Sequence, residues 1–136
     1  MALLFRRKIP LFYTLNEVMK NEATGLKRIV SAFGFSMQGL KACYRSEAAF
    51  RQEVWLSVVL IPLAFFLAES AVDRVLLIMP VFLVLIVEIL NSAIESVVDR
   101  IGDEYHVLSG VAKDMGSAAV WLSLMLLIAI WLIILI

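Results

Sequence analysis

The stretch VEILNSAIESVVDR, residues 87–100, ends an apolar run with three carboxylates, Glu88, Glu95 and Asp99. At 100° per residue, Glu88, Asn91, Ser92, Glu95 and Asp99 fall within about 80–100° of one another on a single helix face. The run they belong to, 74–97, has about the 20 residues a helix needs to cross the hydrocarbon of a bilayer. From Glu88 to Asp99 is ~16 Å at 1.5 Å per residue, so Asp99 and Arg100 can reach the headgroups while Glu88 lies well inside. A charge at that depth costs about 2.5–3.5 kcal/mol even on lenient insertion scales, which turns the edge toward protein, water or a cation. An edge of this kind is a functional site by default.

The rest of the 136 residues agrees with a membrane setting. The chain is 62% hydrophobic and 18% charged, with a mean hydropathy of +0.95, which excludes an ordinary soluble domain and a disordered chain. A second run, 118–136, is also of spanning length, and a third, 54–68, passes with its flanks. Backbone groups in lipid must be satisfied within the segment, and a barrel would instead alternate over segments of about ten residues. The expected fold is all-α integral membrane, with three transmembrane helices. Residues 22–136 are expected to form one domain behind an N-terminal extension, 1–21, that is basic and contains Pro10. Within it, Ile29, Val30, Phe33, Met37 and Leu40 recur at three- and four-residue steps, as in an amphipathic helix lying on the membrane surface.

Nine basic residues precede the first span against four acidic ones, which places the N-terminus in the cytoplasm and the C-terminus across the membrane. No cleavable leader is expected, because Arg6, Arg7 and Lys8 follow at once on a short apolar start. Cys43 is the single cysteine, which excludes an internal disulfide or a cysteine metal cluster, and it is read as a small apolar residue on a helix. Pro62 and Pro80 lie inside spans and leave carbonyls for neighbouring helices to satisfy. The small residues 116–119 permit close helix approach. Three helices cannot enclose a large site, so a homo-oligomer sharing its polar faces is expected.

Interhelical hydrogen bonds from Asn91 and Ser92 would be a structural use of the polar edge, each contributing about 0.6 kcal/mol. Two deep carboxylates without deep bases suit that use badly, because like charges coexist only with a proton or a cation. A carboxylate pair suits Mg²⁺, which takes one or two carboxylates together with phosphate oxygens and water. Phosphates are therefore the expected partner. The polar segment 100–116, read as a loop, offers Glu104, Tyr105, His106, Lys113 and Asp114 and opens on a helix start at 116–117, where backbone amides would favour an anion. It lacks the P-loop spacing and the protein-kinase motifs. His106 fits a loop hydrogen bond as well as a base. Glu47, beside Ser46 at an expected helix start, is the acidic residue nearest the same membrane face, with Arg51 one turn on. Glu53 is either interfacial or part of the site. Glu69 and Asp73 are read as solvated turn residues on the opposite side.

The segments EAAFRQE (47–53), RVLLI (74–78), VEILNSAIESVVDRIGDEYH (87–106) and LSGVAKDMGSAAV (108–120) together resemble the bacterial integral-membrane diacylglycerol kinases. The resemblance runs from about residue 24 to 136. It implies a homotrimeric three-helix lipid kinase of the inner membrane that phosphorylates diacylglycerol to phosphatidic acid, with ATP as donor and Mg²⁺ as cofactor. It implies Glu88 as general base with Asn91 beside it, and Glu47 and Glu95 as metal ligands. Nucleotide contacts fall to Arg28, Phe35, Glu47, Glu95, Glu104, Tyr105, His106, Lys113 and Asp114. Lipid contacts fall to Arg28, Ser36, Glu53, Arg74, Glu88, Ser117 and Trp131. Undecaprenol kinases resemble the same pattern, and a small transporter using Glu88 and Glu95 as a proton relay is the alternative of a different class.

Overall fold

The computed structural model describes residues 25–102, 104 and 106–136, with Lys27 by its backbone alone. Residues 1–21, read above as an extension, and Tyr105 lie outside the described residues. Four helices follow one another: α1 (Leu26–Ser46), α2 (Ala48–Leu67), α3 (Ala71–Ile101) and α4 (Val107–Leu135). No strand occurs among the described residues. The chain divides into two units, 1–39 and 40–136.

In the first unit α1 starts after Gly25, whose φ of 60° is backbone that glycine adopts without strain. Leu26, Ile29, Val30 and Phe33 are all exposed there, leaving the apolar stripe uncovered, as on a helix that lies on a membrane surface.

In the second unit α2, α3 and α4 are each long and apolar enough to cross a membrane. The protein is an all-α membrane protein with three spans and an N-terminal helix. Every span begins earlier than hydropathy alone suggests. Ser46 is the last residue of α1 rather than a cap for α2, and Glu47 alone separates the two helices in an extended conformation (φ −103°, ψ 122°). Asp73 is not a loose turn residue. Ser70 Oγ accepts from the Asp73 amide at 3.1 Å and Asp73 Oδ2 accepts from the Ser70 amide at 3.0 Å, a reciprocal cap that starts α3.

The larger correction concerns the segment expected as a loop. Only a few residues around 102–106 interrupt the helices, and α4 is already under way at Val107. Val107, Val111 and Met115 recur at four-residue steps, a helical spacing that the flanking Gly110 and Gly116 disguise. The helix start expected at 116–117 is therefore helix interior, and free amides are found instead at the turn after His106.

α3 is the central helix, packed against both α2 and α4. Toward the 67–71 end the core is apolar: Leu77, Val81 and Val84 of α3 meet Ala64 of α2 and Leu127 and Trp131 of α4. Pro80 is fully buried in this layer and has no N–H for the Leu76 carbonyl four residues back. The next carbonyl, Leu77 O, accepts from Trp131 Nε1 at 3.0 Å. Trp131 belongs to the core, and its indole N–H finds its partner there.

Toward the other end the interior turns polar, with Cys43, Ser57, Glu88, Ser92 and Ser123 all buried. The chain covers α3 more than its neighbours: 39% of its most apolar stretch is buried, against 17% for α2 and 11% for α4. Replacing Trp131→Phe keeps the packing and removes the hydrogen bond to Leu77. It is expected to destabilise the protein by about 0.6–1.5 kcal/mol, read as a lower midpoint in an SDS-unfolding titration of detergent-solubilised protein.

Candidate active site

The polar edge of α3 is graded by depth. Glu88 is 4% exposed, Ser92 is buried, Asn91 and Glu95 are half-buried, and Asp99 is exposed. Among the described residues Glu88 is the one charged side chain in the buried class. The carboxylates of Glu47 and Glu95 both act on it, and Glu88 acts in turn on Glu53. Four carboxylates from α2, α3 and the α1–α2 junction thus converge at one end of the bundle.

Each is placed by a local device. Arg51, one turn into α2, reaches back so that Nη1 donates to the carbonyls of Tyr44 at 3.1 Å and Arg45 at 3.2 Å. Carbonyls of the last turn of a helix lack intrahelical partners, so this guanidinium caps α1 and pins the break that holds Glu47. The Arg51 amide also bonds the Glu47 carbonyl at 3.4 Å. Asn91 Nδ2 donates to Glu95 Oε1 at 3.1 Å, along the i, i+4 line of α3. Glu53 is half-buried, and its Oε2 is buried with no hydrogen-bond partner among the described residues.

Cys43 belongs to this cluster although its type gave no such signal. Its Sγ lies 3.5 Å from Ser92 Oγ, 49 positions away, tying the last turn of α1 to α3. Burial pushes the Cys43 thiol above its ordinary value of 9.0, and the nearby charges of Glu47, Glu88 and Glu53 push the same way.

The segment after α3 supplies a second group. His106 is the N-cap of α4, and its Nδ1 accepts from the Leu108 amide at 3.2 Å. An accepting Nδ1 puts the proton of the neutral ring on Nε2. Lys113 makes an ion pair with Asp99 across α3 and α4, while Glu104, Asp114 and Ser117 are exposed. Asp99 thus acts as the lysine's partner, a role the α3 edge alone does not reveal.

Arg28, Phe35 and Ser36 belong to the first unit, where each is exposed and Ser36 Oγ donates to Ala32 O at 3.0 Å. Arg74 lies fourteen residues before Glu88 on α3, about 21 Å at 1.5 Å per residue. Its guanidinium sits 5.2 Å from the Phe65 ring centroid. Arg74 thus lies at a different depth from Glu88.

No group of three or more His, Cys, Asp or Glu able to close around a metal exists among the described residues. Two carboxylates with room for phosphate and water match Mg²⁺ better than a closed cage does, and Glu95, with one oxygen held by Asn91, keeps its other for such use.

Fold and site together define a small helical membrane protein with a carboxylate centre buried at one end of its spans. Residues 34–135 match the family described as prokaryotic diacylglycerol kinase, and the chain belongs to that family. It is 55% identical over 117 residues to the diacylglycerol kinase of Escherichia coli (strain K12), covering 86% of this chain and 96% of that protein. The diacylglycerol kinase of Pseudomonas aeruginosa is 56% identical over 108 residues, covering 79% and 88%. That of Haemophilus influenzae is 48% identical over 110 residues, covering 81% and 93%. The protein is therefore an enzyme, a kinase.

Because its thiol is raised, Cys43 should alkylate with its half-maximal rate above pH 9, where a thiol of ordinary acidity is already half ionised. Maleimide labelling across pH 7–10 in mild detergent measures this, and a plateau below pH 9 would contradict it.

Proposed function

We propose that the protein transfers the γ-phosphoryl group of ATP to the primary hydroxyl of diacylglycerol, yielding phosphatidic acid and ADP at the bacterial inner membrane. The observation that carries this reading is Glu88: a carboxylate 4% exposed, at a depth a lipid hydroxyl can reach, about one turn below Asn91 and two below Glu95. Glu88 accepts the hydroxyl proton as the new O–P bond forms, the bond from Pγ to the bridging oxygen breaks, and ADP leaves.

Glu47 and Glu95 would hold Mg²⁺ against the nucleotide phosphates. Mg²⁺ when bound neutralises phosphate charge, the larger part of what phosphoryl transfer asks of an enzyme. Asn91 keeps Glu95 oriented toward that task. Lys113 would exchange Asp99 for a phosphate oxygen, a modest cost because an exposed ion pair contributes about 0–1 kcal/mol. Glu104, His106 and Asp114 would border the nucleotide. Glu53, Arg74, Ser117 and Trp131 would border the lipid.

Residues 22–136 form the kinase domain in this reading, and the basic excess before α2 sets the carboxylate end in the cytoplasm, where ATP is available. The thin self-coverage of α2 and α4 favours a homo-oligomer, with a trimer as the family resemblance implies.

In mixed micelles, purified protein should transfer phosphate from ATP to diacylglycerol only when Mg²⁺ is present. Undecaprenol in the same assay identifies the acceptor, and turnover on it alone would reassign the substrate. Glu88→Gln should lower kcat by about 10²–10⁴-fold, the usual contribution of a general base, with ATP affinity changed by less than about twofold. Undiminished turnover in that variant would remove Glu88 as the base.

A further inference from the structure

Gly116 is buried in the interior of α4, and Asn91 of α3 stands directly over it. A Cβ built at 116 would overlap Asn91 Oδ1 and lie 3.3 Å from its Cγ and 3.8 Å from its Cα. At this level the space that a Cβ would take is filled by the Asn91 side chain, while the α3 backbone lies at ordinary contact distance. Asn91 Oδ1 is buried and has no hydrogen-bond partner among the described residues, while Nδ2 of the same planar amide donates to Glu95 Oε1 at 3.1 Å. The two ends of the carboxamide are coupled. Turning it over would aim the oxygen at the Glu95 carboxylate, and swinging it aside would break the bond to Glu95.

We infer that Gly116 is a positioning residue for the metal site: the space it leaves seats the Asn91 carboxamide, which holds Glu95 in the orientation that receives the metal–nucleotide complex. The glycine is needed for the side chain opposite it as much as for helix contact. This rests on the reading of Glu95 as a metal ligand.

The test is Mn²⁺ binding in the presence of ATP, followed by the EPR signal of the free ion on the full chain in detergent, with thermal unfolding measured alongside. Losing an outer partner of a metal ligand costs about 10–100-fold in metal affinity, and Gly116→Ala is expected at about tenfold, with Asn91→Ala similar. Asn91→Ala/Gly116→Ala should bind no worse than Asn91→Ala alone, because alanine at 91 removes the oxygen that the new methyl would strike. Losses that add in the double variant would make Gly116 a packing residue only and overturn the inference. Should Gly116→Ala fail to fold, the double variant still decides: folding and binding like Asn91→Ala supports the inference, and remaining unfolded overturns it. Glu95→Gln separates the two readings. Unchanged binding there overturns the ligand assignment and this inference with it, whereas weakened binding in Glu95→Gln beside unchanged binding in Gly116→Ala overturns this inference alone.

Discussion

A carboxylate at position 88, nearly sealed from solvent and facing other carboxylates, is the constraint around which the second unit is arranged. Leaving it against lipid would cost several kcal/mol, so α3 must be the central helix with α2 and α4 over its polar edge. The gradient along that edge follows from helix geometry. Each turn moves the next polar residue about 5.4 Å toward the bundle end, which is why Glu88 is buried, Asn91 and Glu95 are half-covered and Asp99 meets Lys113 in the open. One helix face therefore supplies a deep group suited to proton transfer and shallower groups suited to phosphate and metal.

The opposite end provides the rigidity. There the layer of Leu77, Val81 and Val84 meets Ala64, Leu127 and Trp131, and Trp131 ties α4 to α3 by donating to the Leu77 carbonyl. Ser57 and Ser123 border the transition between the two layers. Each donates to a carbonyl of its own helix, Val54 O and Val120 O, at 2.7 Å. Small hydroxyl residues satisfied within their helices let the interior change from apolar to polar without leaving unpaired donors.

The three spans and the polar edge were legible in the sequence because both are periodic: long apolar runs give the spans, and residues 88, 91, 92, 95 and 99 share a face at any helical register. The start of α4 was hidden by composition. Gly110, Lys113, Asp114 and Gly116 imitate a loop, and only the steps from Val107 to Val111 to Met115 betray the helix. Cys43, Arg51 and Gly116 carried no readable sign of their part in the site, because each acts through a contact distant in sequence or through a backbone group. Asp73 was legible in principle, as the last residue of Ser70-Ala71-Val72-Asp73, a capping pattern. Arg74 and Trp131 show the reverse case: resemblance alone set both beside the lipid, and no spacing in the sequence signals the indole hydrogen bond to Leu77.

The one-residue junction at Glu47 sets the rotational phase of everything that follows it. The buried residues of α2, Phe50, Ser57 and Ala64, recur every seven positions and form a single narrow seam against the rest of the unit. One residue added or removed at the junction would turn that seam by about 100°, sending Phe50 outward and carrying the Glu53 carboxylate away from α3. Arg51 would lose its reach to Tyr44 and Arg45 in the same displacement. The spacing between α1 and α2 is thus as tightly determined as the residue that occupies it, and variation in length along this chain belongs elsewhere.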